Sequence, residues 1–286
     1  MSHAAIFERL TNIERDELNT QLEHDGFALL PRKLPAELMH AALSAIDHLT
    51  AEKRRENVVV RSVKMHNCVE LDPAFRALVM YEPALQLAYD AFGPMFHLNQ
   101  SNFISRVKEA DQEEAKKNFA ASIGWHADGP RPRNFPRVND AMGLHYLKFG
   151  YFLTDLTHGT GGSLEVVRGS HKRDELDGKK GNDFDIQNYQ HDLVRFDVEA
   201  GSVVAFHQAL WHAAYPNQSD IERKNVYISY CPTWMRPVDR DFPTEADLEG
   251  LTLEERWLLG EPRPTALRWW LPSADDTQRM ARFAPD

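Results

Sequence analysis

Seven runs decide the fold: FHLNQSNFISRV (96–107), SIGWHA (122–127), GLHYLKFGYFLTDL (143–156), SLEVVR (163–168), LVRFDV (193–198), SVVAF (202–206) and NVYISYCPTW (225–234). Each is short and rich in β-branched and aromatic residues. Each is separated from the next by glycine, asparagine or charged loops. Strands that follow one another without intervening helices pair antiparallel, so the region from Phe96 to about Trp234 predicts an all-β sandwich or barrel, most simply a jelly roll. Two polar stretches inside it, 109–117 and 171–191, read as long surface loops that cover a site.

Outward from this core the pattern turns helical. Towards the N-terminus, Ile6, Phe7, Leu10, Ile13, Leu18 and Leu22 fall on one helical stripe, which Asp25-Gly26 ends before an edge-strand run FALLP (27–31). A second helix starts at Pro35 and buries Leu38, Ala42, Ile46 and Leu49. A third starts after Asp72, with Pro73 in its first turn; Pro83 divides it and Gly93-Pro94 stops it. The first ninety residues thus read as helical with one short strand. After Pro237 the chain is charged and helical again, with a capping box at Thr252 and Glu255, a stop at Gly260, and a tail that packs on the barrel exterior. The expected organisation is mainly β with helical decoration (α+β), one catalytic domain over 1–286. An N-terminal helical segment (1–94) packs on a β-core (95–236), followed by a helical tail (237–286).

Composition limits what the core can do. The 286 residues are 42% hydrophobic and 10% aromatic, enough to close a sizeable core. With 43 acidic against 33 basic side chains the chain carries a net charge of -10, which argues against a nucleic acid or an anionic membrane as the main partner. Two cysteines, Cys68 and Cys231, support neither a disulfide framework nor a thiolate metal site, and a reducing, cytoplasmic setting is expected. The N-terminus has no apolar signal region, and no stretch approaches the twenty apolar residues of a membrane span. Oligomeric state cannot be read.

The chemistry sits in the β-rich region. In a strand, residues two apart share a face, so His126 and Asp128 within Trp125-His126-Ala127-Asp128 project to one side. A third ligand must come from another strand, and His212 lies where SVVAFHQALWHAAYPN runs into a turn at Pro216-Asn217. Two histidines and one carboxylate are the donor set that holds a non-heme Fe(II) and leaves coordination positions open. Arg223 follows His212 by eleven residues. If 216–220 turn as a hairpin, the two lie opposite one another to within about a residue, where a guanidinium grips a carboxylate bidentately. The same donor set also suits zinc. A metal-binding jelly roll that is not an oxygenase, either a Zn-dependent hydrolase or isomerase or a non-catalytic sensor, is therefore the alternative function, and Arg223 is what speaks against it.

These residues stand within an ordered series: Trp125-His126-Ala127-Asp128, Phe152-Leu153-Thr154-Asp155, Gly162-Ser163-Leu164 through Val167-Arg168-Gly169-Ser170-His171, Gly201-Ser202-Val203, and Trp211-His212 followed by Arg223. In this series, over roughly 100–234 and with a weaker echo in DGFALLP (25–31), the sequence resembles the phytanoyl-CoA dioxygenase-like branch of the Fe(II)/2-oxoglutarate-dependent oxygenases. The resemblance implies a double-stranded β-helix, a cupin-like jelly roll. It implies His126, Asp128 and His212 as catalytic iron ligands, Arg223 as the anchor of the distal carboxylate of 2-oxoglutarate, and Gln100 lining the cosubstrate pocket. The implied requirements are Fe(II), 2-oxoglutarate and O2, with ascorbate a candidate addition. The implied reaction hydroxylates or otherwise oxidises a small organic molecule and releases succinate and CO2. A carboxylate at 128 points to hydroxylation-type chemistry, since related halogenases carry a small residue there. One departure is plain: many relatives have Gly-Ser after the third ligand, and this chain has Ala213-Ala214.

Other residues receive the plainer reading. His207 is a rival ligand but lacks the spacing to an arginine, and His145, His171 and His191 read as structural or loop residues. Lys148, Arg131, Arg133, Arg61 and Trp234 flank the site in sequence, and each is expected at the surface or in packing. Were several to face inward, the substrate would carry an anionic or polar group. Substrate contacts are expected from 53–70, 108–120 and 172–192.

Overall fold

The computed structural model describes residues 8–56, 62–108, 124–128, 137–138, 141–159, 161–173, 184–261 and 274–286. Three layers build it: helices, a six-stranded sheet and a three-stranded sheet. The strands are β1 (Phe27–Leu29), β2 (Ser62–His66), β3 (Phe96–Arg106), the two-residue pair β4 (Arg137–Val138) and β5 (Ala141–Met142), β6 (Leu147–Phe152), β7 (Leu164–Val167), β8 (Leu193–Phe196), β9 (Val203–His207), β10 (His212–Ala214) and β11 (Arg223–Pro232). The large sheet has the order β1-β9-β6-β11-β3-β2 and the small one β10-β7-β8, with every pairing antiparallel. This is the expected jelly roll, and FALLP supplies its edge strand β1.

Alternation along the large sheet sorts its side chains into two cores. Val226, Ile228 and Tyr230 of β11 join Phe149 and Tyr151 of β6, Val203 and Ala205 of β9 and Phe103 of β3 on the outer face, where the helices cover them. There Phe75 stacks on Phe103 with centroids 5.6 Å apart. The opposite face carries Phe152, Val204, Phe206 and Tyr227, which pack against Leu164 and Val166 of the small sheet. The second core lies between the sheets, and the metal-ligand candidates lie at its end.

The helices follow their signals, with instructive exceptions. α1 (Asn12–Asp25) is capped by Thr11, whose hydroxyl accepts from the Glu14 amide while Glu14 reaches back, and it ends at Gly26 with φ +84°. Starting there, the helix places Ile13 on its outer side, 72% exposed, so the apolar stripe as read is corrected; Ile6 and Phe7 lie outside the described residues. Leu10 is buried ahead of the helix, its amide donating to the Gln86 side chain. α2 (Ala36–Glu56) buries Ala42 and Ile46 as expected. α4 (Pro73–Val79), capped by Asp72, and α5 (Glu82–Phe92) are the two halves of the divided helix.

One element contradicts the expectation of a single early strand, β2, and the short α3 (Cys68–Leu71) adds a helix after it. β2 was hidden because it is an edge strand of alternating exposure with a charged open face, and it exists by pairing with β3. At the other end, the Thr252/Glu255 capping box opens α6 (Leu253–Leu258), and α7 (Ala274–Met280) follows. Met280 and Phe283 join the outer-face core, so the described part of the tail packs on the barrel exterior. No described helix is long and apolar enough to cross a membrane.

Candidate metal centre

His126 and His212 are joined first by their backbones. The His126 amide donates to the His212 carbonyl at 3.0 Å and the His212 amide returns a bond to the His126 carbonyl at 2.8 Å, a single antiparallel bridge at the edge of the small sheet. The bridge puts the imidazoles side by side, ring centroids 4.3 Å apart. Each Nδ1 lies against a carbonyl two residues earlier, Gly124 at 2.8 Å for His126 and Leu210 at 2.9 Å for His212. A carbonyl only accepts, so Nδ1 carries the hydrogen in both rings and both Nε2 lone pairs are free to bind a cation.

Asp128 completes the set. Its Oδ1 is 3.7 Å from His126 Nε2 and its Oδ2 is 3.7 Å from His212 Nε2. Candidate ligand atoms of all three residues lie within 4.8 Å of one another, and no other such group of three occurs among the described residues. Donors bonded to one ion at about 2.1 Å sit roughly 3 Å apart, so a small inward movement closes the site. The residues fit a divalent cation in number, chemistry and geometry. Exposure is graded, with His212 buried, Asp128 half-buried and His126 open to solvent, which leaves an approach on the His126 side. Burial alone would raise the Asp128 carboxyl; the Lys148 ammonium, His212 and His126 overcome it and hold the group well below the usual carboxylate range. Burial, reinforced by His126, pushes His212 down to about 3, so its ring is neutral and ready as a ligand.

Two aromatic residues steady these ligands. Trp125 precedes His126 and Trp211 precedes His212, and Phe184 stacks on Trp211 at 4.4 Å and meets Trp125 at 5.2 Å. Tyr189 stacks on the same Phe184 ring at 5.0 Å. Within the 171–191 loop, Phe184 and Tyr189 therefore pack toward the residues that precede the two histidines. The spacing of Trp125 and Trp211 from the histidines was visible in the sequence, but Phe184 carried no signal. The expected loop at 109–117, and Arg131, Arg133 and Arg61, lie outside the described residues.

Arg223 opens β11 and is almost wholly buried at 1% exposure. The hairpin expected between it and His212 does not form: β10 pairs with β7 in the small sheet, whereas β11 pairs with β3 and β6 in the large one. The connection instead crosses between the sheets, turned by Asn217, whose amide donates to the carbonyls of Arg106 and Ile221. Proximity survives by another route. Arg223 shares the inward face of β11 with Asn225, Tyr227 and Ser229, and its guanidinium donates to the carbonyls of Gly162 and Tyr215, the latter three residues beyond His212. Gly162 takes φ +80°, and a Cβ there would meet the Tyr215 carbonyl at 2.6 Å and Arg223 Nη1 at 2.9 Å, so only glycine lets the guanidinium in.

Gln100 lies on the same inward face, half-buried. It pairs across the sheet with Ser229, which pairs in turn with Lys148. Lys148, expected at the surface or in packing, is packed inward. It sits in the centre of the large sheet on the inward face, 9% exposed, with Nζ 2.5 Å from Asp128 Oδ2. His207 is placed away from the ligands: its Nδ1 accepts from the Ala209 amide and its ring meets His171 at 5.0 Å. Ala213 and Ala214 are buried, and Trp234 is 59% exposed.

A family model described as phytanoyl-CoA dioxygenase (PhyH) matches residues 22–225. Among solved structures, HygX from Streptomyces hygroscopicus, with nickel and 2-oxoglutarate bound, superposes with a TM-score of 0.61 at 18% identity over 85% of this chain and 95% of its own. The non-heme alpha-ketoglutarate-dependent carbocyclase SnoK from nogalamycin biosynthesis gives 0.56 at 19% identity, over 78% and 85%. The epimerase SnoN of the same biosynthesis gives 0.51 at 18%, over 77% and 81%. At these identities the likeness is one of fold. No curated protein matches the chain significantly by sequence.

Proposed function

The chain belongs to the phytanoyl-CoA dioxygenase (PhyH) family, and from that premise we propose that His126, Asp128 and His212 hold the iron of its reaction while Arg223 anchors 2-oxoglutarate. The class of enzyme is a 2-oxoglutarate-dependent non-heme iron oxygenase. A non-catalytic or hydrolytic metal protein is set aside by that membership. The observation that carries the residue assignments is the convergence of three ligand atoms, both Nε2 atoms freed by Nδ1 bonds, with a buried guanidinium that donates to the Tyr215 carbonyl three residues beyond His212.

When bound, iron with 2-oxoglutarate and O2 supplies the oxidising power for attack on a substrate C–H bond. The chain supplies position. His212 and Asp128 fix the cation from the buried side, and His126 closes it on the open side. Arg223 offers its guanidinium to the distal carboxylate of the cosubstrate, and Gln100 lines the space between. The apolar wall of Leu164, Val166, Val204 and Phe206 keeps water from the inner end. The helical segments and the β-core act as one catalytic domain, a reading supported by the shared core of helices and large sheet. A small organic molecule is the proposed substrate; HygX, of the same fold, has been crystallised with hygromycin B. A cytoplasmic setting is supported by two free, buried thiols.

Anaerobic addition of Fe(II) and 2-oxoglutarate is expected to give the weak visible absorption of the chelate, and admission of air to give succinate. Asp128→Ala and His212→Ala are expected to lose both iron binding and turnover. Tight Fe(II) binding by either variant would refute the ligand assignment.

A further inference from the structure

Lys148 is the only lysine buried among the described residues. Its ammonium lies over the rings of Tyr227 at 5.4 Å and Phe206 at 5.7 Å, and its one ionic partner among the described residues is Asp128. Aromatic faces hold a cation in place without neutralising it. Asp128, however, is also an iron ligand in the assignment above, and its single negative charge cannot serve both cations.

Charge counting makes the point sharper. With both histidines neutral, iron brings two positive charges and Arg223 and Lys148 one each; Asp128 brings one negative charge and 2-oxoglutarate two. Among these groups one positive charge is left over beside the iron, in addition to the buried Arg106 opposite Arg223, and burying it uncompensated is strongly unfavourable. Lys64 adds to the same sign: on β2 it takes the inward-facing register opposite Ile104, at the solvent-exposed rim. Burial and the neighbouring charge of Lys148 lower its pKa. A chain with net charge -10 repels anions at long range, so such a local cationic lining is what an anionic ligand needs in order to enter.

We infer that the primary substrate carries an anionic group, a carboxylate or a phosphate, that pairs with Lys148 beside the iron. Ser229 and Gln100, next in the same cross-strand row, offer further hydrogen bonds to it. Because Lys148 Nζ already touches Asp128, the acid group docks next to the metal. The C–H bond attacked then belongs to a carbon within a few bonds of that acid group. A neutral substrate would leave that positive charge uncompensated.

The inference rests on the iron and cosubstrate assignments, and one experiment separates their failure from its own. Protein loaded with Ni(II) and 2-oxoglutarate is titrated calorimetrically with acetate, inorganic phosphate and acetamide at constant ionic strength. Saturable binding of at least one anion and none of acetamide is expected, the tighter anion naming the class. Lys148→Met should lose roughly ten-fold or more in anion affinity, with a smaller change in Ni(II) affinity. Acetamide binding as well as acetate, no anion binding by the wild type, or an unchanged anion affinity in the variant overturns the inference. So does a parallel fall in Ni(II) affinity, which would make Lys148 a support for Asp128 alone. Wild-type protein that takes up neither Ni(II) nor 2-oxoglutarate overturns the underlying assignment instead.

Discussion

His126 and His212 differ in exposure, yet both present Nε2 because a backbone carbonyl two residues earlier takes the Nδ1 hydrogen. Such preparation of the ligand is local, and the sequence hinted at it only through spacing. Arg223 is prepared by its neighbours: the Gly162 and Tyr215 carbonyls take part of its donor capacity and aim the rest. Arg223→Ala is expected to raise the apparent KM for 2-oxoglutarate about ten- to a hundred-fold, the scale of one charge-assisted bidentate pair, with Ni(II) binding retained. An unchanged cosubstrate dependence would remove Arg223 from the site. The two thiols offer a second residue-scale test. Burial pushes both Cys68 and Cys231 up to about 12, so neither is ionised at pH 8, and native protein should not react with a thiol reagent that labels both after denaturation. The linkage has a definite sign. The unfolded thiols ionise near pH 9 and the folded ones do not, so stability falls as pH rises above 9, by a slope that titration of unfolding midpoints measures.

Elements carry the next level of control. Phe184 packs the described end of the long loop against Trp125 and Trp211, which precede the two histidines, and among the described residues the segments carrying those histidines are joined by one backbone bridge. Truncating a buried phenylalanine costs about 3–5 kcal/mol, so Phe184→Ala should lower the unfolding free energy by a quantity of about that order. It should also weaken Ni(II) binding measured by calorimetry. Lowered stability with unaltered Ni(II) affinity would mean that the staple serves packing alone. Among the helices, capping residues are legible in the sequence at two starts, Asp72 before Pro73 and Thr252 with Glu255. The Thr11/Glu14 box, which the reading of the apolar stripe passed over, fixes where the first helix begins, and the turn that follows sends Ile13 to solvent.

For the whole molecule, metal uptake and folding are linked, since a ligand set that exists only in the folded chain binds only that state. Ni(II) at about a hundred times its Kd should stabilise the protein by about 2.7 kcal/mol, seen as a rise of several degrees in melting temperature, reversed by a chelator and absent in Asp128→Ala. A rise that persists in that variant would place the metal elsewhere. The run of short β-rich segments determined by itself that this is an antiparallel jelly roll, because period-two alternation and turn residues are local properties of the chain. It likewise marked His126, Asp128, His212 and Arg223, through spacing and ordered motifs. Which sheet each strand joins was decided only in three dimensions. The stretch between His212 and Arg223 reads as a hairpin, but β10 pairs with β7 and β11 with β3 and β6, because closing two sheets over one core buries more apolar surface than a two-stranded ribbon. Lys148 follows from the same fact. Alternation allowed it either face, and only the packing of β6 between β9 and β11 turned its ammonium onto Asp128.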